Sequence, residues 1–228
     1  MDRGDVRYRP ETGCAAQADL RHDSLTATAP PAARWLLIES NAPWPRQALA
    51  GLALGDVLTR RCRELGIRPV LIRRYGRADR TTPRRWGMVD CRPGREAVRW
   101  GELPTDEQLL PTDEQLLSAD EQLLSADEQL LPAEEHLLKV LDGKDQGMLS
   151  TEPVYLVCTH GRHDACCAVR GRPVAAALAS AYPERTWECS HIGGDRFAAN
   201  VVVLPHGLFY GHVPPTRALE LARQYDEG

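Results

Sequence analysis

The 228-residue sequence predicts an α/β protein in two halves, joined by a helical stretch of acidic repeats. Three observations lead there. Apolar runs of strand length recur on both sides of the repeats, bounded by proline, glycine or polar residues. Longer stretches with helical spacing of alanine and leucine lie between them. Residues 104–138 read PTDEQLL, PTDEQLL, SADEQLL, SADEQLL and PAEEHLL, five copies of one seven-residue unit.

In the first half, residues 1–103, "ARWLLIES" reads as a buried strand. "APWPRQALAGLALGDVLTRRCRELG" reads as a helix opened by Pro45, and "RPVLIRRYG" as a second strand. Two shorter strands, "RRWGMVDCR" and "EAVRW", complete this smaller α/β half, and an antiparallel pair is expected of them. Each repeat opens with Pro or Ser, continues with two acids and ends in two leucines, the order of a helix start followed by a buried face. An interior proline costs a helix about 3 kcal/mol, which predicts breaks near Pro111 and Pro132 and a continuous helix over Ser118 to Leu131. The repeat is read as an expanded linker, because paired leucines without flanking opposite charges match a coiled-coil seam poorly.

In the second half, residues 150–228, "VYLVC" reads as a strand, followed by a cysteine-rich loop, the helix "RPVAAALASAYP" and the strand "TWECS". A loop with a short helical turn, "GGDRFAAN", leads to the strands "VVVLP" and "GLFYGHV" and a closing helix with Pro215 in its first turn. The order β-α-β-β-α is the core of a thioredoxin-like fold. The first half can be read as a degenerate version of the same plan.

Composition excludes some functions. Hydrophobic residues make up 43% and charged residues 26%, near the averages for soluble globular proteins. No apolar run approaches the ~18 residues of a membrane span, and the start, "MDRGDVRYRPETGC", has no apolar signal core. A soluble, cytoplasmic protein without membrane attachment is expected. The net charge of −4 conceals a division. Residues 104–138 hold ten acids and no Lys or Arg, leaving 28 basic against 22 acidic residues elsewhere. The excess gathers at Arg73, Arg74, Arg77, Arg80, Arg84 and Arg85, which reads as a solvated loop with some capacity to steer an acidic partner. An overall acidic chain argues against nucleic acid. The oligomeric state is not legible.

Chemistry concentrates in two segments. "VCTHGRHDACCAVR", Val157 to Arg170, holds three of the seven cysteines and two histidines. "ECSHIGGDRFAAN" adds Cys189, His191 and Asp195. Loops after parallel strands of a β-α-β unit open on one edge of the sheet, so the two segments should face each other. Four readings compete. A disulfide suits neither adjacent Cys166 and Cys167 nor a reducing compartment. A reactive thiol could be activated by His160 or His163, but no Cys-x-x-Cys accompanies it. Structural zinc suits the residue types, although its ligand pairs are usually closer than Cys158 and Cys167. A 2Fe-2S cluster tolerates irregular spacing and mixed Cys/His ligation. Residue chemistry leaves zinc and the cluster both standing. His160 and His163 read as neighbours of the site rather than ligands, Cys62 and Cys91 as buried packing, and Arg196 as a site neighbour or a surface ion pair.

"CTHGRHDACC" and the later "SHIGGDRFAANVVVLPHGLFYG" resemble the sucrase/ferredoxin-like family, whose members carry a thioredoxin-like 2Fe-2S ferredoxin domain. "WLLIESNAPWPRQAL" is similar to the family's amino-terminal W-x-x-x-E-x-x-x-P-W segment, so the resemblance spans most of the chain outside the repeats. It implies Cys158 and Cys167 as one ligand pair, with Cys166 an extra neighbour. The family's His-x3-His pair falls on His191 and Asp195, so an aspartate stands where a second histidine is expected. Cys189 is the other candidate for the fourth position and, as the softer ligand, is placed slightly ahead. The function implied is a one-electron carrier for a redox partner protein, with no catalytic residues. Histidine ligation would raise its potential and make it depend on pH. The alternatives are a zinc-stabilised binding module and a hydrolase, for which no carboxylate pair is marked.

Overall fold

The computed structural model describes residues 9–76, 83–104 and 131–228. They form a mixed α/β structure built on one nine-stranded sheet with five α-helices among the described residues. The elements are α1 (Cys14–Arg21), β1 (Arg34–Glu39), α2 (Gly55–Glu64), β2 (Arg68–Arg73), β3 (Arg85–Asp90), β4 (Ala97–Glu102), α3 (Leu131–Leu141), β5 (Met148–Ser150), β6 (Val154–Cys158), α4 (Ala165–Ala181), β7 (Thr186–Cys189), β8 (Val201–Leu204), β9 (Leu208–Tyr210) and α5 (Pro215–Glu227). None of these helices is long and apolar enough to cross a membrane.

The strand order is β5-β4-β3-β1-β2-β7-β6-β8-β9. Either side of the β2–β7 seam follows one plan. In the first half β1 pairs in parallel with β2 and antiparallel with β3, and β3 pairs antiparallel with β4. In the second half β6 pairs in parallel with β7 and antiparallel with β8, and β8 pairs antiparallel with β9. The seam is antiparallel and short: Ile72 lies opposite Cys189 and Arg73 opposite Glu188. Because these are the carboxyl ends of both strands, the loops that follow β1 and β6 meet above it.

Period-two burial builds the core. Val154, Leu156 and Cys158 join Trp35, Leu37, Val70, Ile72, Trp187 and Val202 in a core shared by both halves. Tyr155 and Val157 face the opposite way, onto Val174, Ala175 and Leu178 of α4 and Ala218 and Ala222 of α5. The first half mirrors this with Leu36, Ile38 and Leu71 against Leu58 and Cys62 of α2 and Leu137 and Val140 of α3. Aromatic contacts cross the shared core, with Trp100 stacked on Trp187 at 5.4 Å and Trp35 tilted on Phe209 at 6.0 Å.

Several expectations change. The first-half helix begins at Gly55 rather than Pro45, after a 3-10 turn at Ala48–Gly51. Gly55 sits so close to the Leu49 carbonyl that a Cβ would come within 1.9 Å of it, so the chain turns there before the helix starts. The second-half helix starts earlier than expected, at Ala165, because the Asp164 side chain accepts from the Cys166 N–H and caps it. Cys166 and Cys167 therefore lie in the first turn of α4 and not in a loop. Helix α1 and strand β5 were not expected at all. Most of the repeat, including Pro111 and Ser118 to Leu130, lies outside the described residues, as do Arg77 and Arg80. Its last copy is part of α3, where the Glu134 carboxylate accepts from the backbone N–H groups of Ala53 and Leu54.

Candidate metal centre

Cys158 is the last residue of β6, Cys167 the third of α4, and His191 lies two residues beyond the end of β7. One donor atom from each falls within 4.8 Å of the other two. The Cys167 sulfur and His191 Nδ1 are 3.9 Å apart. Parallel pairing of β6 with β7 brings this about, because it sets Cys158 beside Cys189 and opens both following segments on one edge. Close packing holds α4 there: at Gly171 a Cβ would come within 2.1 Å of the Cys158 carbonyl, so only glycine fits.

The two thiols are fully buried, and their acidities shift in opposite directions. A hydrogen bond from Cys167 pulls the Cys158 thiol well below the usual range against the effect of burial, helped by His191 and the His160 backbone N–H. Cys167 is correspondingly pushed up, by that hydrogen bond to Cys158 and by burial. A thiolate at Cys158 beside the positive end of α4 is a strong soft donor.

Cys189 and Asp195 stand outside the close group of three. Cys189 is fully buried in the shared core with Cys158 and Cys167, and burial followed by the Cys158 charge raises its thiol well above the usual range. Asp195 starts a 3-10 turn, Asp195–Phe197, reached through Gly193 and Gly194 at φ of 93° and 67°. Both glycines hold the left-handed conformation that a side chain disfavours. Arg196 is exposed and lies over the Phe197 ring at 4.7 Å.

The first half supplies a lid over the site that the sequence did not disclose. His160 Nε2 lies 2.8 Å from the Pro45 carbonyl oxygen, while its Nδ1 accepts from the His191 N–H at 3.2 Å. That pair of partners fits a neutral ring with its proton on Nε2, and burial lowers the His160 pKa in the same direction. His163 places Nδ1 3.3 Å from the Arg46 carbonyl oxygen, and its ring stacks on His191 with centroids 3.6 Å apart. Trp44 meets His160 edge-on at 5.8 Å. A cavity of about 340 Å³ runs from Arg46, Asp56 and Thr59 to His160, His163 and His191, giving His191 an outlet.

Arg68 is the other contributor that the sequence reading missed. Its guanidinium stacks over Trp35 at 5.1 Å; burial lowers its pKa, while negative charge at Cys189 and Cys158 raises it. It is a half-buried cation facing two thiols. No spacing marks Arg68 in "GIRPVLI", because its role depends on β2 lying next to β7.

The family model described as Sucrase/ferredoxin-like matches residues 25–227. No curated protein and no solved structure matches the chain.

Proposed function

Since the chain belongs to the sucrase/ferredoxin-like family, we propose that it is a one-electron carrier that holds a 2Fe-2S cluster in a thioredoxin-like second half. The convergence of Cys158, Cys167 and His191 carries this reading. The β-α-β-β-α succession of β6, α4, β7, β8, β9 and α5, in sheet order β7-β6-β8-β9, supports the fold assignment.

The donors suit such a group. Two soft thiols and one imidazole converge in a desolvated place, beside the N-terminus of α4 and near the cation of Arg68. Cys189 is the fourth donor in this reading, ahead of Asp195, because it lies beside Cys158 in the same core. When bound, the cluster supplies a reversible one-electron change at a potential raised by histidine ligation. The chain's own residues do the rest. Cys158 and Cys167 would bind as thiolates, Arg68 and the α4 dipole would offset the negative charge, and the segment Trp44 to Arg46 holds His160 and His163 beside the site. His191, open to the cavity, is the residue through which a redox partner protein reaches the site.

A single zinc ion is the second reading, favoured by one observation: three donor atoms within 4.8 Å of one another suit one tetrahedral ion. The hydrolase reading has no counterpart in the site, whose donors are thiols and imidazole rather than paired carboxylates. The decisive experiment is anaerobic purification of the full chain followed by visible spectroscopy and iron, sulfide and zinc analysis. About two irons and two sulfides per chain are expected, with a coloured protein that reduction bleaches. A colourless protein whose zinc is lost with Cys158→Ser would overturn the carrier.

A further inference from the structure

A second group of residues able to hold a metal ion lies at the start of α4, next to Cys167. Cys14, Asp164 and Cys166 also bring their donor atoms within 4.8 Å of one another. The Cys14 sulfur is 3.3 Å from the Cys166 sulfur and 3.3 Å from Asp164 Oδ2. Asp164 divides its carboxylate: Oδ1 accepts from the Cys166 N–H at 2.7 Å as the cap of α4, which leaves Oδ2 turned toward Cys14. The Ala15 N–H points at the Cys166 sulfur from 3.5 Å, an orientation that suits a thiolate. Ala15 and Ala198 wall the group with apolar surface, and Cys166 is buried within it while Cys14 is half-buried.

We propose that these three residues form a second metal site, for a thiophilic divalent cation of the zinc type. Three groups able to carry negative charge crowd together here, and a cation can replace the Cys14 thiol proton that is directed at Asp164 and Cys166. Two thiolates and a carboxylate match zinc, with a fourth position left for water. The spacing agrees, since two thiolates on one tetrahedral ion with bonds of about 2.3 Å sit roughly 3.7 Å apart. A disulfide fits less well, because the sulfurs would have to close to about 2.05 Å and Oδ2 would keep no role.

The site joins the first residue of α1 to the first turn of α4, 150 positions away in sequence. Helix α1 precedes the family-matched residues, so the family assignment does not imply this site. Its consequence is mechanical: a bound ion pins α1 onto the turn that presents Cys167. The inference does not depend on the electron-carrier reading.

The test measures metals in the full chain after incubation with zinc and removal of the unbound ion, comparing the parent with Cys14→Ser and Cys158→Ser. Circular dichroism serves as the fold check. About one zinc per chain is expected in the parent and in Cys158→Ser, with loss in Cys14→Ser. Zinc lost with Cys14→Ser in a protein without iron supports the second site and overturns only the carrier. Equal zinc in the parent and Cys14→Ser overturns the second site, and if that zinc is lost with Cys158→Ser it overturns the carrier as well. A Cys14–Cys166 disulfide found by mass spectrometry in place of zinc also overturns the site.

Discussion

The two halves of the sheet repeat one connectivity and put different residues at the same place in it. In the first half the central strand β1 ends in Glu39, and the next segment runs through Trp44, Pro45 and Arg46 before the helix. In the second half β6 ends in Cys158, and the next segment runs through His160, His163 and Asp164 to the cysteines of α4. The topology supplies a position above the ends of two parallel strands, and the residues decide what it does. One half presents thiols and imidazoles, while the other presents backbone carbonyls that hold those imidazoles in place. An edge of thiols and imidazoles and its lid are thus two uses of one plan.

The largest effect expected from breaking this comparison is on the thiols. Cys158→Ser or Cys167→Ser should abolish colour and bound iron, whereas Cys166→Ser and the first-half Cys62→Ser should keep both, as read by iron analysis and visible absorption. Loss in all four would mean that general destabilisation, not ligation, is being measured. The seam between the halves comes next. Arg73 bonds Glu188 at 2.6 Å and lies over Trp44 at 4.2 Å, and Glu188 is only 7% exposed. Arg73→Ala leaves that carboxylate buried without its cation, and urea unfolding should show a loss on the order of 2 kcal/mol, less than for a fully buried pair because Arg73 is 23% exposed.

The smallest effect belongs to Glu39, the first-half counterpart of Cys158. Burial raises its pKa above the ordinary 4.5, despite the Arg85 N–H and the arginines nearby. A folded-state pKa above the unfolded value favours the protonated acid, so its stabilisation is complete below about pH 4.5 and is lost as pH rises through the folded value. Glu39→Gln keeps an acceptor for the Arg85 N–H without the charge. Unfolding followed across pH should therefore show the variant gaining on the parent from about pH 4.5 toward neutrality. A flat difference would show that the arginines neutralise Glu39 completely.

Much of this arrangement is written locally. Strands such as "RWLLIE" and "VYLVC" announce themselves because they are buried on both faces, and "SHIGGD" marks the close approach that its two glycines permit. That the segments holding Cys158, Cys167 and His191 face each other follows from the β-α-β order, whereas the choice of these three among the neighbouring cysteines and histidines rests on the family resemblance. What stayed hidden depends on contacts distant in sequence. The cap of Asp164 on α4 is visible in the sequence only as an Asp among polar neighbours, so the spacing of apolar residues predicts a helix start later than Ala165. The lid at Pro45 and Arg46, the cation of Arg68 and the approach of Cys14 to Cys166 all arise from packing between segments far apart in sequence. No local spacing encodes such pairs.

The short antiparallel seam has one more meaning. An antiparallel contact between two strand edges is its own mirror under a two-fold rotation, and here the strands on either side run outward in matching order, β2-β1-β3-β4 and β7-β6-β8-β9. The molecule has the symmetry of a dimer written into a single polypeptide. Were the halves separated, β2 and β7 would each offer a raw edge, and like edges could join by the same rotation into twin-lid or twin-site assemblies. Fusion in one chain guarantees that every site is matched with a lid.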